Sequence, residues 1–131
     1  MKKNGILNSE ISKVLSDMGH TDTLTVGDCG LPIPDGVKKI DLALKMGVPS
    51  FLEVVREIAK DMKVERVTVA SEINDENPEV LEELSKIFPD AAFEEFPHEA
   101  FKKKTEKSKA VVRTGENTPF ANCILHSGVI F

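Results

Sequence analysis

With 131 residues, the chain has the usual length of one domain, residues 1–131, enough to bury most of its apolar surface around a single core. A content of 40% hydrophobic and 30% charged residues excludes the disordered and fibrous classes. The net charge is -5, with basic residues interleaved among acids except at Lys102-Lys103-Lys104, so the footprint that a phosphate backbone needs is missing and nucleic acid is not expected as a partner.

Asn8 to Met18 places Ile11, Val14, Leu15 and Met18 at helical spacing, and Gly19 follows where a left-handed C-cap residue belongs. That helix delivers His20 at its end. Thr23 to Val26 reads as a strand running into Gly27-Asp28-Cys29-Gly30-Leu31-Pro32-Ile33-Pro34, whose glycines and prolines end regular structure. Lys38 to Ala43 is a second strand, and Ser50 with Glu53 forms a capping-box pattern ahead of an amphipathic helix from Phe51 to Met62. Arg66 to Ser71 is strongly β. Asn77 and Pro78 supply an N-cap and a first-turn proline for a helix marked by Val80, Leu81, Leu84, Ile87 and Phe88. Ala91 to Phe96 alternates as a strand, Pro97 opens a helix through about Lys107, and Ala110 to Arg113 and Asn122 to His126 supply the last strands. Such alternation with short connections predicts an α/β fold, a mixed and largely parallel sheet with helices on both faces.

Met1 to Gly5 lead into mixed polar and apolar residues rather than the apolar run of a signal peptide or membrane span, so a cytoplasmic protein without membrane contact is expected. Cys29 and Cys123 lie far apart and outside any CxxC or Cys/His signature, which fits reduced structural thiols. Three scattered His offer no zinc spacing, and no P-loop, GxGxxG or GxSxG occurs, so neither a metal nor a nucleotide cofactor is expected.

Loops at strand ends are where a rigid scaffold presents reactive groups, and four stretches carry candidates. His20, just past a helix C-terminus, suits a proton shuttle, although a solvated capping histidine is the commoner reason for that placement. Asp28 leaves a strand inside a rigidified loop, where a carboxylate accepts hydrogen bonds from hydroxyls, orients a histidine, or serves only as a turn former. Its neighbour Cys29 has no local base or stabilising charge and is not read as a nucleophile. His98 and Lys102 are one helical turn apart and can converge on one ligand, although a solvated face with His98 as an N-terminal surface residue is the commoner reason for such a pattern. Phe120-Ala121-Asn122 sets an aromatic ring beside an amide, a pairing that matches sugar recognition, with Asn as a turn former the alternative. His126, in an apolar run with no partner in view, reads as structural. The Val129-Ile130-Phe131 end is expected to pack into the core or a subunit interface.

Taken in order, Met1 to Asn8, Met18-Gly19-His20-Thr21-Asp22, Val26 to Pro34 and Thr118-Pro119-Phe120-Ala121-Asn122 closely resemble the RbsD/FucU family over nearly the whole chain. The resemblance implies a Rossmann-like subunit and an isomerase that interconverts the β-pyranose and furanose ring forms of ribose. It also implies a homodecamer of two stacked five-membered rings, with pockets near subunit contacts. Carried over by position, His20 corresponds to the acid/base residue and Asp28 to a sugar-binding carboxylate. His98 with Lys102 corresponds to further polar contacts, and Phe120-Ala121-Asn122 to the sugar-binding segment. Many relatives carry Tyr at the Phe120 position, so here a phenol is excluded and only stacking is left.

Ring exchange needs a proton delivered to the ring oxygen and one taken from the anomeric hydroxyl, giving an open aldehyde that recloses through another hydroxyl. A positioned imidazole worth roughly 10² to 10⁴-fold suffices for chemistry that already proceeds in water. His20 as donor, Asp28 aligning it or the sugar, and His98, Lys102 and Asn122 holding hydroxyls is the expected division of labour. The alternatives are a mutarotase for another sugar such as fucose, working through the same open intermediate, and a non-catalytic ribose-binding accessory protein.

Overall fold

The computed structural model describes residues 1–131. Helix α1 (Ser9–Asp17) starts where the Asn8 side chain accepts a hydrogen bond from the Ile11 N–H. It ends without a left-handed glycine: Met18 is extended, and the Asp22 carboxylate takes the Gly19 N–H at 2.9 Å. The positive φ expected at Gly19 falls instead on Thr21, at 74°. Strands β1 (Thr23–Gly27) and β2 (Lys38–Asp41) follow, then α2 (Phe51–Asp61), which begins with the full reciprocal capping box between Ser50 and Glu53. Strand β3 (Val64–Ala70) leads through the single-turn α3 (Ile73–Glu76) into α4 (Pro78–Ile87). Strand β4 (Ala92–Phe96), helix α5 (His98–Lys104) with a 3₁₀ turn to Lys107, β5 (Ala110–Arg113) and β6 (Cys123–Ser127) complete the chain.

The six strands form one sheet in the order β2-β5-β1-β6-β3-β4. Five run parallel, and β6 is inserted antiparallel between β1 and β3. The α/β reading with a mixed, mostly parallel sheet therefore holds. Side chains alternate across the sheet. Leu24, Val26, Val67, Val69, Val112 and Leu125 join Ile11, Val14, Phe51, Val55, Ile58 and Leu84 of α1, α2 and α4 in the main core. The opposite face carries a smaller core in which Phe101 of α5 meets Leu31, Ala70, Val111 and Ile124. Phe51 and Phe101 are fully buried, worth about 1.5–3 kcal/mol each. No helix is long and apolar enough to cross a membrane.

The C-terminal stretch departs from one of its two expectations. Ile130 is 90% and Phe131 100% exposed, so the apolar end does not pack into the core of its own chain.

Candidate active site

Because β6 runs against its neighbours, its start lies at the edge where the parallel strands end. Asp28 after β1, Glu72 after β3, His98 after β4, Glu116 after β5 and Phe120-Ala121-Asn122 before β6 share that edge. It is the edge where open α/β sheets hold ligands.

Asn122 is 1% exposed and bonds Asp28 twice: its Nδ2 donates to the carboxylate at 3.0 Å, and its Oδ1 accepts the Asp28 N–H at 2.8 Å. The other carboxylate oxygen accepts the Gly30 N–H at 2.9 Å, closing an Asx turn. Asp28 is thus both a turn former and a carboxylate held in one orientation at the end of β1. Gly27 permits this approach, since a Cβ there would lie 3.1 Å from Asn122 Oδ1 and 2.7 Å from Leu31 Cδ2.

Phe120 sits at φ 55°, a left-handed conformation uncommon for an aromatic residue, and its carbonyl accepts the Asn122 N–H at 2.9 Å. This tight turn leaves Ala121 fully buried and stands the Phe120 ring edge-on to the His98 ring, centroids 5.1 Å apart. The His98 Nδ1 is buried with no protein partner, an acceptor or donor that a hydroxyl can satisfy. His98 opens α5, and its backbone N–H points between the two Glu72 carboxylate oxygens at 3.0 and 3.1 Å. That bond holds the Glu72 carboxyl below the usual carboxylate range. Lys102 lies one turn along α5 and pairs with Glu99 at 2.8 Å.

Three supporting residues are not among the candidates the sequence offers for the site. Glu72, after β3, holds the first turn of α5. Asn77 was expected as the N-cap of α4 but makes no capping bond; its Nδ2 donates to Thr118 Oγ1 and the Pro119 carbonyl, both at 2.9 Å, bracing the Phe120 turn. Glu116, 9% exposed, accepts the Phe51 N–H at the start of α2 and the Thr118 hydroxyl at 3.0 Å, fastening the same segment from the other side. Short-range spacing carries no trace of bonds across 41 or 65 residues.

His20 lies elsewhere. It follows α1 at the edge where β1 begins, with about 13 Å of extended strand between it and the Asp28 end. Its Nε2 is 3.0 Å from Glu65 Oε2, and both side chains are nearly half exposed. Within one chain the structure gathers Asp28, His98, Phe120, Ala121 and Asn122, carries Lys102 on the same helix as His98, and leaves His20 apart.

His126 is not without partners. Its Nε2 is 2.8 Å from Thr68 Oγ1 and its Nδ1 3.1 Å from Arg66, and burial followed by the Arg66 charge lowers its pKa. It lines a cavity of about 650 Å³ with Arg66, Glu94 and Lys103, on the α5 face of the sheet. Cys29 is exposed and Cys123 buried, both free, and burial pushes the Cys123 thiol far up.

A family model described as the RbsD / FucU transport protein family matches residues 1–130. The chain belongs to the RbsD/FucU family. Among RbsD/FucU relatives, a D-ribose pyranase of Bacillus cereus is 58% identical over 131 residues, covering 100% of both chains. One from Bacillus anthracis is 57% identical with the same coverage. A solved structure of Bacillus subtilis RbsD complexed with D-ribose superimposes with a TM-score of 0.97 at 51% identity over 100% of both chains. A fucose mutarotase from Streptococcus pneumoniae, in complex with L-fucose, shares the fold at 22% identity, a TM-score of 0.77 and 95% of each chain.

Proposed function

We propose that the chain is a D-ribose pyranase, an isomerase that exchanges the pyranose and furanose forms of ribose through the open aldehyde. One observation carries the reading. The doubly bonded Asp28–Asn122 pair stands beside the Phe120 ring and the unpartnered His98 Nδ1, in a chain that matches D-ribose pyranase at 58% identity from end to end. A framed carboxylate, an amide, a ring nitrogen and an apolar face are what a polyhydroxylated ring with one C–H surface requires.

In this reading Asp28 accepts hydrogen bonds from sugar hydroxyls, His98 meets a hydroxyl through Nδ1, Asn122 keeps Asp28 in place, Lys102 adds a cationic donor, and Phe120 with Ala121 covers the carbon face. The proton for the ring oxygen comes from His20. Since β1 separates His20 from Asp28 within a chain, the imidazole in each site is His20 of the partner subunit. Breaking the bond from the anomeric carbon to the ring oxygen, with that oxygen protonated and the anomeric hydroxyl losing its proton, gives the aldehyde. Rotation and attack by a different hydroxyl complete the exchange. The enzyme works as a ring-shaped homo-oligomer, a decamer of two five-membered rings, in the cytoplasm. Exposed Leu7, Leu44, Met46, Ile130 and Phe131 supply apolar contact surface for assembly, and the exposed free thiol of Cys29 suits a reducing compartment.

Saturation-transfer NMR on ribose, with and without the protein, tests the reading. The protein is expected to accelerate pyranose–furanose exchange, with His20→Ala losing about 10² to 10⁴-fold while staying folded and assembled. Ribose binding without faster exchange would identify an accessory binding protein instead. Faster anomer exchange on fucose than on ribose would reassign the substrate.

A further inference from the structure

Glu65 occupies an irregular place in β3. Val64 pairs with Ser127 and Arg66 with His126, so two consecutive β6 residues face positions two apart on β3, and Glu65 is the extra residue of a bulge. Across the bulge Gly128 leaves room for it: a Cβ there would lie 3.1 Å from Glu65 Cβ. The His20 turn is fixed onto the same corner. The Thr21 N–H donates to the Ser127 carbonyl at 3.0 Å, the Ser127 N–H donates to the Asp22 carbonyl at 2.9 Å, and Thr21 adopts a left-handed φ of 74° that a β-branched residue rarely takes. Bulge, glycine and strained turn meet in one contact, His20 Nε2 to Glu65 Oε2 at 3.0 Å.

We propose that Glu65 is the positioning residue for His20, holding its ring so that Nε2 carries a proton and Nδ1 is the nitrogen turned to the sugar. The inference rests on the reading of His20 as the acid/base group. A carboxylate only accepts hydrogen bonds, so the facing ring nitrogen must be the donor in both charge states. In the neutral ring this leaves the lone pair on Nδ1, ready to take a proton; in the imidazolium Nδ1–H is the proton that can be given. The contact contributes little to stability, since side chains 49% and 43% exposed gain about 0–1 kcal/mol from such a pair. Its worth lies in orientation. The other charged groups at this corner are already engaged: Asp22 with the Gly19 N–H and Lys109, and Arg66 with His126 and Glu94. Lys63 faces Gly128 from the start of the strand. Glu65 is therefore the one acceptor in contact with the His20 ring.

Two measurements on the full-length assembled protein test this. Long-range ¹H–¹⁵N spectra of the imidazoles should place the His20 proton on Nε2 in the wild type, and Glu65→Gln, whose amide can donate to that nitrogen, should shift the population toward Nδ1–H. In exchange kinetics Glu65→Ala and Glu65→Gln should each lower kcat by about 10 to 100-fold with KM within about twofold, the range of partners that orient another group. Adding Glu65→Ala to His20→Ala should cost nothing more, because the two residues act as a unit. An Nδ1–H tautomer in the wild type, unimpaired Glu65 variants beside an inactive His20→Ala, or a Glu65 effect that persists in the His20→Ala background would each overturn the inference alone. A fully active His20→Ala would overturn the reading beneath it.

Discussion

Asn122 spends both ends of its amide on one residue, and that makes it the most informative side chain to change. Asn122→Ala leaves the partly buried Asp28 N–H without an acceptor and one carboxylate oxygen without a donor, at a cost of about 1–3 kcal/mol in stability. Because the freed carboxylate can turn away from the sugar, ribose affinity should fall at least about tenfold, equivalent to about 1.4 kcal/mol. Chemical denaturation and titration calorimetry read the two effects separately, and a variant that binds ribose as the wild type does would remove Asp28 from the proposed site. Both residues were legible as candidates, since each sits in a loop at a strand end, but their partnership spans 94 residues and no local pattern encodes it. Phe120 was readable as an aromatic beside an amide, whereas its left-handed backbone depends on Asn77 and Glu116 holding the segment from both sides.

At the scale of elements, most of the chain was readable because local and global preferences agree. The capping box at Ser50 and Glu53, the first-turn Pro78 and the β-branched run at Val67 to Val69 each name their element. The misses follow from size and from distant partners. Helix α3 is a single turn with no period to detect, β3 begins at Val64 rather than Arg66 because β6 recruits two more residues, and α1 stops at Asp17 because Asp22 captures the Gly19 N–H. The same dependence on distant backbone makes Gly115 a sharp test of how the loop after β5 is seated. A Cβ there would come within 2.3 Å of the Val48 carbonyl oxygen and 2.5 Å of its nitrogen, backbone atoms that cannot rotate aside. Gly115→Ala should therefore destabilise the protein by about 1–3 kcal/mol or more in chemical denaturation. Gly30→Ala, whose Cβ would meet only Asp28 Oδ1 at 3.7 Å, should stay within about 0.5 kcal/mol of the wild type. Equal effects would mean that the 45–49 segment moves freely away from the site.

For the whole molecule, the decisive geometry is that one sheet carries its candidate acid at the edge where β1 begins and its candidate sugar-binding groups at the edge where β1 ends. A ring in which each chain presents the His20 edge to the Asp28–Asn122 edge of the next completes every site with two subunits, and a closed ring leaves no orphan half-site. Mixing experiments follow directly. At ribose concentrations too low to fill the weakened site, His20→Ala and Asn122→Ala chains should each be nearly inactive in saturation transfer, yet unfolding and refolding them together in equal amounts should return activity. Random assembly gives about a quarter of the sites an intact His20 from one variant and an intact Asn122 from the other. The refolded mixture should also elute in light scattering at ten times the mass of the 14.4 kDa chain. If both residues acted from the same chain, no subunit in the mixture would hold a whole set and the rate would stay at that of the separate variants, whatever the size of the assembly.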